Sequence, residues 1–278
     1  MFFTQHDIDR WIEEDIPFID LTSSITDFTK NSLNITFKAR HDTCVSGCEA
    51  AVCVLERVGC TVTTALKSGE FVSVGDLIIE AHGSPQAIHK GWRVALNLME
   101  YSSGIATRTR NLVATARKGN PKIVVSGTRK AFPGTRRLSV QALMAGGAVP
   151  HRLGISETVL FFPAHYDNAG GLDMLLSKMT DIRLKCLEKK IEIELEKLED
   201  IEKAVKAGVD SIQTDKMTPE QVAETVKMVK ALNPSVKVLA AGGINIDNAE
   251  SYAASGADML VTSWMYFGKP ADIKATIS

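Results

Sequence analysis

The chain lacks the features that mark most membrane, exported and nucleic-acid-binding proteins. No apolar run among its 278 residues is long enough to span a membrane, and the start, MFFTQHDIDRWIEED, lacks the basic and apolar regions of a signal peptide. Its 32 basic and 33 acidic residues give a formal charge of −1, so the charge balance suggests neither nucleic acid nor a membrane surface as a partner. We therefore expect a soluble cytoplasmic protein.

Cysteine is scarce, and its spacing does not suggest a metal site. Five cysteines in a chain without an export signal predict reduced thiols. The series His41, Cys44, Cys48 and Cys53 widens along the chain, unlike the CxxC pairs of structural zinc sites. We favour buried apolar packing of these cysteines, with a metal site as the weaker alternative.

Two nucleotide-binding signatures are also missing, GxGxxG after a strand and GxxxxGK[ST].

After Pro121 the chain repeats a pattern of strand and then helix, which predicts a parallel sheet in a doubly wound fold or a barrel. The predicted strands are Lys122–Ser126, Thr158–Phe162, Ile191–Leu195, Ser211–Thr214, Lys237–Ala240 and Met259–Val261, and the predicted helices include Leu198–Ala207, Pro219–Leu232 and Ile246–Ser255.

The first half of the chain predicts a mixed α/β unit. Its predicted elements are a helix near Asp7–Glu14, a strand at Asn34–Lys38, a helix at Glu49–Val58 and a strand at Thr61–Thr64. A further helix begins after Ser84, with Pro85 at its first position. We expect Ser103-Gly104 to kink or break that helix.

The segment Thr128–Arg152, TRKAFPGTRRLSVQALMAGGAVPHR, contains no acidic residue. Its Pro133-Gly134 turn predicts a loop, and arginine side chains bind carboxylate and phosphate groups through paired hydrogen bonds. An anion site and an ordinary basic surface loop are both consistent with this segment. The cations are Arg129, Lys130, Arg136, Arg137, His151 and Arg152.

Acidic residues alternate with apolar ones in Ile191–Leu195. As a strand, this segment places Glu192 and Glu194 on one face. A charged helix over Leu187–Lys203 is an almost equally good interpretation, because that stretch is rich in Glu and Lys.

Several motifs in order resemble the quinolinate phosphoribosyltransferase family (nicotinate-nucleotide pyrophosphorylases). Asp20-Leu21-Thr22 is similar to its DxT element, and Trp92–Thr107, WRVALNLMEYSSGIAT, to its ERxxLNxLxxLSGIAT helix. The order TRK, PG, R, GG, HR, an EIE strand and a late GGI matches the same family over nearly the whole chain. Within the family the chain most resembles the ModD branch, whose members are associated with molybdenum transport.

The resemblance implies an open α/β barrel of six or seven parallel strands with an N-terminal α/β sandwich domain. The implied sandwich spans residues 1–109, with residues 265–278 returning to it, and the implied barrel spans residues 110–264. A homodimer or higher homo-oligomer is also implied.

The resemblance further implies the roles of the site residues. Glu194 and Asp215, which match acids of the family's EVEV and LLDN strands, would stabilise positive charge at the reacting sugar carbon or hold Mg²⁺. Lys130 is expected to join them as a catalytic residue. The residues expected to bind substrate are Arg129, His151 and Arg152, together with Arg93, which matches an arginine that reaches across the dimer interface.

Two stretches suit a sugar phosphate. Gly242 and Gly243 come after a strand and precede a predicted helix, so their amides and the helix dipole can bind phosphate. Ser263 stands where the family has a glycine in its second phosphate loop.

The chain also departs from the family at positions that bear on substrate. Phe162 replaces a lysine of the LIKDNH motif and Ala164 its asparagine, while His165 is kept. Ser139-Val140 replaces a Glu-Lys pair. Fewer cations argue against quinolinate, so a less anionic or more aromatic acceptor would suit Phe162.

These observations predict a phosphoribosyltransferase that transfers the phosphoribosyl group of phosphoribosyl pyrophosphate to an unidentified acceptor base and releases diphosphate. The alternatives are a non-catalytic anion or nucleotide binding protein linked to molybdate handling, and a true quinolinate phosphoribosyltransferase. Glu194 and Asp215 favour an enzyme, since a binder of oxyanions has no use for acids beside its ligand.

Overall fold

The computed structural model describes residues 2–278, which form two compact units. Unit 1 contains the chain up to Arg110 together with Ala131–Gly147 and Met265–Ser278, and unit 2 contains Asn111–Lys130 and Ala148–Trp264. The domain boundary expected from the sequence, between residues 109 and 110, lies one residue before the start of unit 2 at Asn111. The same expectation assigns Ala131–Gly147 to the barrel, whereas these residues belong to unit 1. Within the described residues, no helix combines the length and the apolar character that crossing a bilayer requires.

The elements begin with those that precede the parallel sheet. In chain order they are α1 (Gln5–Asp15), α2 (Leu21–Ile25), β1 (Leu33–Ala39), β2 (Thr43–Cys44), α3 (Cys48–Arg57), β3 (Thr61–Ala65), β4 (Phe71–Val72), β5 (Leu77–Gly83) and α4 (Pro85–Gly119).

The remaining elements include the seven strands of the parallel sheet and the helices between them. They are β6 (Val124–Gly127), α5 (Arg136–Ala145), β7 (Val149–Pro150), β8 (Val159–Phe161), α6 (Pro163–Asp167), α7 (Leu172–Ser177), α8 (Met179–Lys185), β9 (Ile191–Leu195), α9 (Leu198–Lys206), β10 (Ser211–Asp215), α10 (Pro219–Leu232), β11 (Lys237–Ala241), α11 (Ala249–Ala254), β12 (Met259–Thr262) and β13 (Ile273–Ile277), with a 3₁₀ turn at Trp264–Tyr266.

Unit 1 is built on an antiparallel sheet in the order β13-β1-β5-β3. Ile35 and Phe37 of β1 are fully buried and belong to one apolar core with residues of α1, α3 and the first half of α4. Burial of this kind contributes about 25 cal/mol per Å² of apolar surface, so this shared core stabilises the packing of the helices on the sheet. The last strand, β13, lies at the edge of the sheet beside β1.

The predicted break at Ser103-Gly104 is wrong, because α4 runs without interruption from Pro85 to Gly119. Gly104 lies where another segment of unit 1 passes close to the helix. A Cβ on Gly104 would lie 2.8 Å from the carbonyl oxygen of Lys269 and 2.9 Å from Cα of Pro270. The glycine therefore allows a close approach of backbone to backbone.

Unit 2 is an open α/β barrel with seven parallel strands in the order β7-β6-β12-β11-β10-β9-β8. The fold-class prediction is confirmed. Ladder pairs such as Ser211↔Glu192 and Leu239↔Met259 set the register, and β7 and β8 are the two edge strands. Parallel strands align their C-terminal ends, so the loops after them meet at one face of the barrel.

Local signals in unit 2 explain where its elements begin. Thr218 caps α10, its hydroxyl accepting from the amide of Gln221 while the Gln221 side chain accepts from the amide of Thr218, and Pro219 takes the first helical position. Ile191–Leu195 is a strand rather than part of a charged helix, because Ile191, Ile193 and Leu195 are buried.

The last helix of unit 2 differs from its prediction. It begins at Ala249, three residues after the predicted start at Ile246. Asparagine side chains hold the preceding turn: Asn248 Oδ1 accepts from the Asn245 amide and Asn245 Oδ1 from the Asp247 amide, each at 2.8 Å. A six-residue helix has a weak dipole, so the phosphate site predicted here depends on loop amides instead.

Candidate active site

One pocket of unit 2 lies at the C-terminal ends of the parallel strands. It collects most of the residues predicted to carry function. Its lining consists of Thr128, Arg129, Lys130, His151, Arg152, Leu160, Phe162, Glu194, Gln213, Asp215, Ala241, Gly242, Gly243, Val261, Thr262 and Ser263.

The basic residues of this pocket come from the ends of two neighbouring strands, β6 and β7. Arg129 and Lys130 come after β6, and His151 and Arg152 come after β7, so both pairs line the same space. Arg152 is only 9% exposed, and its burial, together with the charge of Arg129, lowers its pKa. An anion bound between the two arginines would offset their mutual repulsion, so this part of the pocket favours an anionic ligand.

The other predicted cations of the basic segment belong to unit 1. Arg137 forms an ion pair of 2.9 Å with Asp7. Arg136 begins α5. The segment Thr128–Arg152 therefore contributes its two ends to the pocket of unit 2, while its middle belongs to the other unit.

The acids of the pocket lie at the ends of the neighbouring strands β9 and β10. Glu194 accepts a hydrogen bond of 2.6 Å from Gln213 Nε2. Burial raises the pKa of Glu194, the bond from Gln213 lowers it, and the charge of Asp215 raises it further. Lys130 acts in the opposite direction, so both signs of charge act on this carboxylate.

A ladder of polar side chains continues below these acids. The register pairs Gln213 with Glu194 and Ser211 with Glu192, so the same face of β9 and β10 is polar at two successive levels. Ser211 Oγ donates to Glu192 Oε2 at 2.9 Å. On the adjoining strands the interior is apolar instead, formed by Leu239, Ala241 and Val261.

Glu192 also faces His151. Its Oε1 lies 3.1 Å from His151 Nε2, and the carboxylate is 3% exposed. The two atoms are close but are not aligned for a hydrogen bond. His151 therefore has a buried acid on one side and the pocket on the other.

The loop after β11 is shaped to receive an anion. Gly242 and Gly243 have φ values of +88° and +74°, a conformation that favours glycine. A Cβ on Gly242 would lie 2.6 Å from Oδ1 of Asp215, whereas the space beside Gly243 is open. Within residues 2–278, the amides of Gly242, Gly243 and Ile244 donate to no backbone carbonyl. They are therefore available to a ligand.

Ser263 follows β12, the strand that pairs with β11. Its hydroxyl and that of Thr128 are 2.8 Å apart, and Thr128 Oγ1 also accepts from the amide of Lys130. The serine that replaces the glycine of the family's motif thus links the loops after β6 and β12.

Phe162 takes the place of a cation in the pocket wall. Its ring lies 5.9 Å from Cζ of Arg152 and stacks on His165, with ring centroids 5.8 Å apart. His165 itself is exposed and lies outside the pocket lining, because its Nδ1 accepts from the Phe162 amide at the start of α6. In this structure the histidine orients Phe162 rather than lining the pocket.

Arg93 also lies outside this pocket. It belongs to α4 in unit 1, where its guanidinium lies 4.1 Å from the ring centroid of the neighbouring Trp92. Its expected role across a dimer interface stays a prediction.

Three residues of the site have roles that the sequence did not reveal. Gln213 donates a hydrogen bond to Glu194, and Glu192 faces His151. The strand alternation predicts that both glutamates lie on one face, but not these contacts. Lys216 comes after Asp215 with a φ of +57°, and its Nζ lies 3.5 Å from Asp215 Oδ2. The one available signal for it is a lysine where the LLDN motif has asparagine.

Comparison with known proteins agrees with this architecture. The family models for the N-terminal and C-terminal domains of quinolinate phosphoribosyl transferase match residues 20–103 and 105–275. ModD of Pasteurella multocida, named provisionally as a pyrophosphorylase, is 33% identical over 277 residues, covering 100% of this chain and 98% of its own. The human carboxylating nicotinate-nucleotide pyrophosphorylase is 28% identical over 267 residues, covering 95% of this chain and 88% of its own.

A solved structure supports the fold. NadC from Streptococcus pyogenes superposes with a TM-score of 0.89 at 24% identity, covering 100% of this chain and 99% of that one. Together with the two matching domain models and the full-length ModD relatives, this similarity shows that the chain belongs to the quinolinate phosphoribosyltransferase family.

Proposed function

We propose that the protein is a phosphoribosyltransferase that transfers the phosphoribosyl group of phosphoribosyl pyrophosphate to an acceptor base other than quinolinate, with release of diphosphate. One observation carries the proposal: three cations, one histidine and two carboxylates line a single pocket together with Gly242 and Gly243, whose amides donate to no backbone carbonyl within residues 2–278. A donor with a phosphate, a diphosphate and a ribose between them needs this combination of charges.

The carboxylates distinguish a transferase from a simple anion-binding protein. When diphosphate leaves, positive charge develops at the anomeric carbon, and a fixed carboxylate nearby stabilises that charge in the transition state. Glu194 is partly desolvated and close enough to Asp215 for the two charges to interact. A binder of molybdate or another oxyanion would gain nothing from acids whose charge opposes its ligand.

Mg²⁺ fits this pocket as a partner of the donor. Magnesium binds through one or two carboxylates together with substrate phosphates rather than in an all-protein cage. Glu194 and Asp215 supply the carboxylates, and the metal would offset diphosphate charge when bound. Among the described residues, no group of three or more acidic, histidine or cysteine side chains is placed to hold a metal.

The acceptor side of the pocket argues against quinolinate. That molecule carries two adjacent carboxylates, and Phe162 gives the wall an aromatic face beside the single buried guanidinium of Arg152. A flat aromatic acceptor with fewer negative charges matches this wall.

The deciding experiment is a mass-spectrometric screen of acceptor bases with phosphoribosyl pyrophosphate and Mg²⁺, read out as diphosphate and a phosphoribosylated product. We expect product with at least one base, and a loss of about a hundredfold or more in turnover for Asp215→Asn while donor binding is largely kept. Donor binding without product across the screen would favour the non-catalytic alternative. Efficient turnover of quinolinate would favour a true quinolinate phosphoribosyltransferase.

A further inference from the structure

Lys216 has an unusual backbone conformation. Among residues 2–278 it is the only residue other than glycine with a positive φ, at +57°. For a side-chain-bearing residue this left-handed conformation is unfavourable, and such conformations concentrate at functional sites. The amide of Lys216 donates to the carbonyl of Ala241 at 3.0 Å, which holds the conformation in place.

The conformation changes where the lysine points. In a regular strand, successive side chains point to opposite faces, so residue 216 would turn away from Asp215. Instead, Nζ of Lys216 lies 3.5 Å from Oδ2 of Asp215. The stem of Lys216 runs along Gly242, where an added Cβ would lie 2.8 Å from Cγ of Lys216.

The ion pair with Asp215 does not by itself account for the strained backbone. The Lys216 side chain is 80% exposed, and ion pairs this exposed contribute little to stability. The conformation places an exposed ammonium group beside Asp215 and the stem of the lysine beside Gly242, and both of these residues line the pocket. The amide of Gly242, like those of Gly243 and Ile244, donates to no backbone carbonyl within the described chain.

We propose that Lys216 is a phosphate-binding residue of this pocket, serving as counterion to Asp215 when the site is empty and contacting a phosphate group of the donor when it is bound. The inference rests on the proposed function and extends it to a residue outside the pocket lining. The phosphate belongs either to the sugar 5-phosphate or to the diphosphate, both of which offer the same anionic oxygens.

Calorimetric titration with ribose 5-phosphate and, separately, with inorganic diphosphate and Mg²⁺ tests the proposal without requiring turnover. Lys216→Met keeps the length of the side chain and removes the charge. We expect it to weaken the binding of one or both ligands by about ten- to hundredfold, the usual range for a lost charged hydrogen bond. The ligand that is affected more identifies the phosphate contacted.

Two further variants keep the test independent of folding. Lys216→Asn also removes the charge but adopts the left-handed conformation readily, so it should show the same loss of binding. Lys227→Met removes an exposed lysine of α10 and should bind both ligands as the wild type does.

The outcomes separate the two proposals. Losses smaller than about threefold for both ligands in Lys216→Met and Lys216→Asn, with normal wild-type binding, would overturn the role of Lys216 alone. An equal loss in Lys227→Met would do the same, since it would reflect general surface charge. A wild-type protein that binds neither ligand would overturn the proposed function and this inference with it.

Discussion

A buried acid in the pocket makes stability depend on pH in a defined direction. Burial raises the pKa of Glu194 in the folded protein above its value in the unfolded chain, so folding favours the protonated form. The stability associated with that proton is fully present below the unfolded pKa, about 4.3, and is lost as the pH rises through the folded pKa.

Glu194→Gln should therefore melt at a higher temperature than the wild type at pH 7.5, and the difference should shrink towards pH 4. The glutamine carbonyl still accepts from Gln213, so the hydrogen bond is retained while the charge is removed. Calorimetric melting without metal or phosphate measures this, with Glu224→Gln at an exposed position of α10 as the control. A variant that is no more stable than the wild type at pH 7.5 contradicts the argument.

Phe162 determines the expected response to quinolinate. Phe162→Lys places an ammonium group beside Arg152, where a second carboxylate of quinolinate would otherwise be unpaired. A charged hydrogen bond of this kind is worth about 1.5–3 kcal/mol, so kcat/KM with quinolinate should rise by about tenfold or more. Phe162→Met is the control for loss of the ring. Steady-state assays in which all three proteins perform alike would show that this position does not select the acceptor.

At the level of the element, α4 offers a test in which two effects have opposite signs. Alanine is favoured over glycine in a helix interior by about 1 kcal/mol, so Gly104→Ala would stabilise a helix with free space around it. Here the new Cβ would be too close to the carbonyl oxygen of Lys269. We expect a net loss of about 1–3 kcal/mol in unfolding free energy, measured by denaturant titration.

Gly154→Ala is the matched control, since no atom lies within 4 Å of the position of its Cβ. It should leave stability nearly unchanged. A Gly104→Ala protein as stable as the wild type would mean that the passing segment moves away easily and that the glycine has another purpose.

The same element shows which parts of the fold are predictable from the sequence. Periodic patterns and caps are local, so six of the seven strands of unit 2 can be predicted to within two residues and the helix Pro219–Leu232 to the residue. The two-residue strand β7 is too short to have a pattern of its own, and it was not predicted from the sequence. The role of Gly104 depends on Lys269, more than 160 positions away, and no local pattern contains that information. Without knowledge of the segment around Lys269, a glycine beside a serine indicates a helix break.

In the pocket, too, local patterns can be predicted from the sequence and contacts between distant residues cannot. Acids at the ends of β9 and β10 can be predicted, because alternation and strand spacing fix where they point. The contacts of Glu192 with His151 and of Lys216 with Asp215 depend on a carboxylate rotamer and on one backbone angle. Neither has a signature in the residue order, apart from the exchange of asparagine for lysine at position 216.

For the whole molecule, the resemblance implies that Arg93 completes the pocket of a partner subunit. Arg93→Ala and Glu194→Gln should then each be inactive alone, yet recover activity when unfolded and refolded together. In a mixed dimer one site carries both changes and the other carries neither. An equal mixture should reach about a quarter of wild-type activity, because half of the dimers are mixed and each has one intact site.

Turnover assays before and after mixing check this, with size-exclusion light scattering to establish the oligomer. No recovery from a mixture that does form mixed dimers would mean that Arg93 acts within its own subunit or not at all.

The pairing of β13 with β1 has a consequence for synthesis of the protein on the ribosome. β1 emerges early, but the strand that covers its edge is made only after all of unit 2. During translation the barrel segments can therefore fold while the N-terminal sheet still presents the unpaired amides and carbonyls of β1, the kind of edge that invites pairing with other chains. We therefore expect the nascent protein to be prone to pairing with other chains along β1 until Ile273–Ile277 is available to cover that edge.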